Sequence, residues 1–305
     1  MDETVVINEE LLTSKSKKFS FKKFIPFAAG APALIWQVLF FYVPLITIVL
    51  YSFLDIDESG RFLGLTLNNF ASVSKWSYFT TIFSSVSLAA VTSLLCLLIG
   101  FPLAYFIAFR GGRYRTIFLF LLLVPFWTNF LLHIYAWFFV LEKEGFLNTL
   151  LISLHIIQTP IHFLNTYFAV VLMMVYYYLP FMTLPIYSAL ERFDTSLLEA
   201  SLDLGASRFE TFKRILIPLV LTSIRAGVFL VFIPAFGEFV IPELMGGDKH
   251  YYVGSVVSQF ILGEHTAQLG TAFTVLGILI LMLAVGTIFK LFAFVEKQLT
   301  SKRLA

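Results

Sequence analysis

The chain has 305 residues, of which 59% are hydrophobic, 36 are phenylalanine and only 13% are charged, with a mean hydropathy of +0.88. This composition excludes a soluble domain or a nucleic-acid-binding module and predicts an integral membrane protein. The net charge of +2 says little until it is divided between the two membrane faces, and the single Cys96, inside an apolar run, leaves no disulfide framework or paired-cysteine metal site.

Residues 1–23 are polar, end in a cluster of lysines, and predict a cytoplasmic tail with no cleavable signal. Residues 24–54 carry no charge and are long enough for a tilted transmembrane helix. After a polar connector at 55–77 comes a second charge-free run, 78–109, closed by a basic turn from Arg110 to Arg115. The third predicted span, 116–141, carries Pro125, Trp127, Asn129, His133, Tyr135 and Trp137. A connector follows, with a short interfacial helix predicted over 147–157 and stopped by Pro160. The fourth span, 163–190, contains the helix-kinking Pro180 and Pro185. A polar stretch at 191–218 precedes the fifth span, 219–244, which is interrupted by Pro234, Gly237, Glu238 and Pro242. An outer connector, the sixth span at 270–295 and a short basic tail at 296–305 complete the chain.

With both termini inside, seventeen of the 21 basic residues fall on the cytoplasmic side, and only Arg61, Lys75, Lys143 and Lys249 fall outside. Lys and Arg are retained on the cytoplasmic face, so this division predicts the topology of a multi-pass inner-membrane protein. The outer connectors then carry an excess of acids, among them Asp55, Asp57, Glu142, Glu144 and Glu243. Two readings fit: a negative mouth that attracts a cation, or acids tolerated wherever basic residues are excluded.

The stretch 191–218 is too patterned for a simple loop. Ser196-Leu-Leu-Glu199 and Ser207-Arg-Phe-Glu210 each have capping-box spacing, and Gly205 between them suits the left-handed residue that ends a helix. Two short helices joined at a bend near Gly205 are predicted, presenting a knob to a soluble partner. Glu199-Ala200-Ser201, then Gly205 and Ile215-Leu216-Ile217-Pro218 at the required intervals, resemble the Glu-Ala-Ala loop of ABC-importer permeases, with Ser201 and Ile217 as small departures. The resemblance implies a coupling helix that docks on an ATP-hydrolysing subunit; capping by Glu199 is compatible with it. Val124 to Trp137, Gln158 to Ile161 and Val231 to Gly247 are similar to the B-type permeases of spermidine/putrescine ABC transporters. That family often has Arg where this chain has His133, so a charge on the pathway is absent or pH-dependent here.

The expectation is therefore an all-α, six-span permease of the type I importer fold. It would pair with a second permease, two ATP-binding subunits and an external solute-binding protein. No phosphate loop, zinc helix or nucleophile elbow is present in the sequence, so no catalysis and no cofactor are expected in this chain, and ATP is used by a partner. Polycation chemistry calls for carboxylates and aromatic faces, which makes Trp127, Asn129, His133, Tyr135, Glu238 and Glu243 the candidate pathway residues. Trp127 and its neighbours fit a pathway or an interfacial belt, and Glu238 fits a substrate contact or an ion pair with the second permease. Permeases for iron, molybdate or sulfate, and an ion-coupled secondary transporter, are the competing readings.

Overall fold

The computed structural model describes residues 25–57, 59, 61–247, 251–263 and 267–301. The predicted tail at 1–23, residues 302–305 of the predicted tail at 296–305, and the outer-connector residues Glu58, Asp248, Lys249 and Glu264 lie outside the described residues. Two units, residues 1–50 and 51–305, are distinguished by their internal packing.

The first unit holds one apolar helical run: α1 (Ile25–Gln37), a π turn (Val38–Tyr42) and the start of α2 (Val43–Tyr51). The π turn has a local cause. Pro44 has no N–H to give to the preceding turn, and the Val43 N–H reaches back five residues to the Val38 carbonyl.

The second unit opens with a small hairpin, β1 (Leu54–Ile56) and β2 (Phe62–Leu65), antiparallel and bulged between Asp55 and Ile56. The hairpin lies in and just before the connector that the sequence marks only as polar, 55–77. Asn69 on α3 (Asn68–Val73) pins the hairpin by donating to the Ser52 and Leu54 carbonyls at 3.1 and 2.9 Å. The remaining helices are α4 (Trp76–Arg110), α5 (Arg115–Trp127), α6 (Phe130–Leu141), α7 (Phe146–Ser153), α8 (Tyr167–Glu191), α9 (Ser196–Asp203), α10 (Arg208–Thr211), α11 (Ile217–Gly237), α12 (Val240–Gly246), α13 (Val253–Leu262) and α14 (Ala267–Ser301).

Five helices among the described residues are long and apolar enough to cross a membrane, and six spans result if the bent pair α5–α6 counts as one. That pair corrects the continuous third span. It is broken at Thr128 and Asn129 and bent by 99°. Asn129 is extended and caps α6, its Oδ1 accepting from the Leu131 N–H at 2.8 Å. The predicted fifth span, 219–244, holds α11 and the short α12, with the interruption at Gly237 and Glu238, two of the four residues read as interrupting it.

The centre of the bundle is α4, α8 and α11, packed on one another. Lipid is as apolar as leucine, so helices in a membrane associate by close approach and dispersion rather than by escape from water. The sequence supplies the small residues this needs. A Cβ on Gly100 of α4 would stand 2.9 Å from Thr183 Oγ1, and a Cβ on Gly227 of α11 would stand 2.9 Å from Met182 Sδ. Met182 is fully buried between the two glycines. Nearby, the buried Cys96 thiol donates to the Val175 carbonyl at 3.7 Å. Around this centre, α13 packs on α14, and the buried Ser85 hydroxyl of α4 accepts from the Val253 N–H at the start of α13. At the opposite end, Arg115 pairs with Glu191 at 3.1 Å, joining the start of α5 to the end of α8.

Candidate functional site: a polar corner and a tyrosine wall

Two places combine polar chemistry with exposure. The first is the corner between α9 and α10. The Gly205 N–H donates to the Leu202 carbonyl at 2.9 Å and the Ala206 N–H to the Ser201 carbonyl at 3.1 Å, with Gly205 at φ +83°. This is a Schellman ending, and the left-handed backbone is the reason for glycine there. Ser207 then starts α10 with a complete capping box. Its hydroxyl accepts from the Glu210 N–H at 3.2 Å and the Glu210 carboxylate accepts from the Ser207 N–H at 3.0 Å. Those bonds hold the Glu210 carboxyl below the ordinary glutamate range.

The predicted box at Ser196 and Glu199 does not form. Asp194 Oδ1 already accepts the Ser196 N–H at 3.0 Å, so Ser196 is the first helical residue rather than the cap. Glu199 is left exposed, and among the described residues no group bonds its carboxylate. Ser201 does more than the small departure read from sequence. Its buried hydroxyl lies 2.9 Å from the buried Thr211 hydroxyl and locks α9 against α10.

The second arm of the corner is also not a free helix. From Arg208 the chain runs helically to Gly237, passing through a π turn at Phe212–Leu216 in which the Ile217 N–H reaches the Phe212 carbonyl. Pro218, with no N–H to donate, sits in the first turn of α11, the same arrangement as at Pro44. Phe212 packs edge-on against Phe101 of α4. A groove of about 520 Å³ lies along the corner, bordered by Leu197, Ala200, Leu204, Gly205, Glu210 and Ile215. Leu204 and Phe209 are 89% and 70% exposed, an apolar display on a polar segment that calls for a partner.

The second place is built on Tyr176, Tyr177 and Tyr178 of α8, which sequence reasoning overlooked. Consecutive helical residues are rotated by about 100°, so the three rings fan out toward different neighbours. Tyr176 reaches α6, its hydroxyl 2.9 Å from His133 Nδ1 and its ring against Trp137. Tyr177 packs on Phe126 and Phe130, one on each side of the α5–α6 break. Tyr178 donates to Glu238 Oε2 at 2.9 Å, at the α11–α12 break. Both helix breaks therefore abut the same run of tyrosines.

Glu238 has an extended backbone, and its Oε1 accepts the Phe239 and Val240 N–H groups at 3.1 and 3.0 Å, the two amides the break leaves open. Among the described residues Oε2 accepts only from Tyr178 and keeps lone-pair capacity for a further donor. At the other break, His133 Nε2 contacts the Thr128 hydroxyl, which also donates to the Pro125 carbonyl at 3.2 Å. The remaining predicted pathway residues are not gathered here. Asn129 is committed to its cap, Trp127 packs on Phe120 of its own helix, and Tyr135 on Phe138 of its own helix. Glu243 is exposed on α12, and no bond among the described residues ties it to the tyrosines. A half-buried carboxylate beside a run of tyrosines suits a desolvated ammonium group, whose N–H donors need anionic acceptors and whose charge is stabilised by ring faces.

Comparison with known proteins gives a family and a fold. The family model for "Binding-protein-dependent transport system inner membrane component" matches residues 97–295. The spermidine/putrescine transport system permease protein PotB of Haemophilus influenzae is 39% identical over 248 residues, 81% of this chain and 86% of that protein. Its namesake in Escherichia coli is 41% identical over 238 residues, 78% of this chain and 86% of that protein. The crystal structure of a bacterial ABC transporter that imports alginate superposes with a TM-score of 0.67 at 15% identity, covering 90% of this chain and 96% of that one, a likeness of fold alone.

Proposed function

The chain belongs to the binding-protein-dependent transport system inner membrane components, and from that premise we propose that it forms part of the translocation pathway of an ATP-driven polyamine importer. It is a multi-pass inner-membrane permease component; chemistry on ATP falls to other subunits. The observation that carries the substrate class is the Glu238 carboxylate, held at a helix break by Tyr178 and two backbone amides with an accepting position to spare. A polyammonium chain stripped of water needs such an oxygen and the ring faces beside it. The relatives' names, spermidine/putrescine permeases, agree with this chemistry.

In this reading both termini are cytoplasmic, supported by the seventeen-to-four division of basic residues. The corner at Gly205 then faces two ATP-binding subunits, and the hairpin connector faces an external solute-binding protein. A second permease completes the pathway. Glu199, Ala200, Ser201, Gly205, Ile215 and Pro218 form the coupling element, and His133 and Glu238 lie beside the path.

The test is uptake of radiolabelled spermidine and putrescine into cells expressing the chain with its partner subunits, with and without Glu238→Gln. ATP-dependent uptake weakened by the substitution supports substrate class and residue together. Uptake that ignores the substitution removes Glu238 from the path. Absence of polyamine uptake in an assembled complex turns the reading to another solute, such as iron, molybdate or sulfate.

A further inference from the structure

Arg225 on α11 and Lys290 on α14 are basic side chains within candidate spans that have no part in the corner or the tyrosine wall. Arg225 lies two turns into α11, about 12 Å along the axis from Ile217, so it sits toward the end of the bundle that carries the corner. Its guanidinium carbon is 4.9 Å from the centre of the Phe289 ring, the residue preceding Lys290, which places both cations at one level. Among the described residues neither is paired with a carboxylate. The ring face stabilises the flat side of the guanidinium, but its in-plane N–H donors still need acceptors. A cation within a span normally finds a partner or reaches for the interface.

An open groove of about 530 Å³ runs between α11 and α14, within the size range of ligand clefts, roughly 300–1,000 Å³; Lys290 lines it, and Arg225 adjoins it through the Phe289 ring. Its walls are Phe229, Ile233, Met282, Val285 and Phe289, and Lys290 lies at its end. Gly286 forms part of it, and a Cβ there would meet no atom within 4 Å. A cationic end joined to an apolar trough is complementary to an amphiphile with an anionic head and a hydrocarbon tail.

We propose that this groove binds an anionic phospholipid, with its phosphate between Arg225 and Lys290 and an acyl chain along Phe229, Met282 and Phe289. Arg225 offers a planar fork suited to two phosphate oxygens, and Lys290 adds a point charge. The site is independent of which solute is carried, so its test reads lipid and not transport.

The full-length chain, extracted in mild detergent from vesicles of equal phosphatidylglycerol and phosphatidylcholine, is assayed for retained lipid by mass spectrometry. The expected result is a preference for phosphatidylglycerol that falls about fivefold when either cation becomes Gln and roughly thirtyfold when both do. Arg225→Lys with Lys290→Arg keeps both charges and should keep most of the preference, which separates charge loss from misfolding. Gly286→Leu fills open space without a clash and should reduce retention of both lipids with the cations intact. Equal retention of the two lipids by the unaltered chain, or an unchanged preference in the doubly neutralised chain, overturns the proposal. So does a cysteine at Met282 that crosslinks to the second permease in the assembled complex, because the groove is then covered by protein.

Discussion

The corner at Gly205 and the break at Glu238 both interrupt a helix, and they do so by opposite means. At Gly205 the freed groups find local partners: the Schellman bonds take the Ser201 and Leu202 carbonyls, the Ser207 capping box takes the Ser207 and Glu210 amides, and the Ser201–Thr211 hydroxyl pair ties the two arms. At Glu238 one carboxylate serves two open amides and reaches to Tyr178, sixty residues away on α8. The corner is thus a self-contained angle bracket, and it continues without a joint through the π turn into α11. The break is a junction whose integrity depends on a charge. In the coupling role proposed above, a force applied at the bracket would move α11 as a body and reach the tyrosines at the junction at its far end.

The strongest way to break the bracket is Gly205→Pro. Proline cannot adopt φ +83° and removes the N–H bonded to Leu202, a loss of about 3 kcal/mol or more. Uptake should vanish while membrane insertion, followed by protease protection of the loops, stays normal; ATP-driven uptake at the original rate would refute the bracket's role. At the junction, Tyr178→Phe deletes the hydroxyl on Glu238 Oε2, a charge-assisted bond worth about 1.5–3 kcal/mol. Concentration dependence of uptake should shift about tenfold or more, whereas Tyr176→Phe, which removes a hydroxyl directed to His133, should leave it closer to the original; equal effects would separate Glu238 from the path.

A finer test is a double-mutant cycle of Ser201→Ala and Thr211→Val. The coupling energy should be about 1 kcal/mol, read as the thermal stability of the purified complex, and strict additivity would dissolve the lock between α9 and α10. The smallest effect is electrostatic. Bonds from Ser207 lower the folded-state pKa of Glu210, so its stabilisation of the corner is fully present above the ordinary glutamate value and fades as pH falls through the lower folded value. Carbon-13 titration of the Glu210 carboxyl should show the depression, and Ser207→Ala should raise it; a titration indifferent to Ser207 would contradict the box.

What was legible in the sequence follows the same division. Gly205, Ser207 and Glu210 act on residues three or four positions away, so spacing alone placed the bend. The misplaced cap at Ser196 was a local competition that Asp194 won by being two residues upstream. The break after Trp127 lies in a charge-free run, and Asn129, beside Thr128 at the break, was read as a pathway group although its position also fits a helix cap. The tyrosine wall was hardest to see. Three adjacent tyrosines ahead of a proline were a visible oddity, but their contacts to residues 126–137 and 238 exist only after folding. Membrane packing at Met182 likewise rests on glycines whose meaning depends on which helix lies opposite.

Cys96, the only cysteine in the chain, is fully buried with its thiol turned to the Val175 carbonyl. The native molecule is therefore a nearly silent background for thiol chemistry. Spin labels or fluorophores attached to introduced cysteines at Leu204 on the bracket and Trp127 near the α5–α6 break would report only from those positions. The distance between the corner and the α5–α6 break can then be followed through the transport cycle in a chain that needs no other alteration.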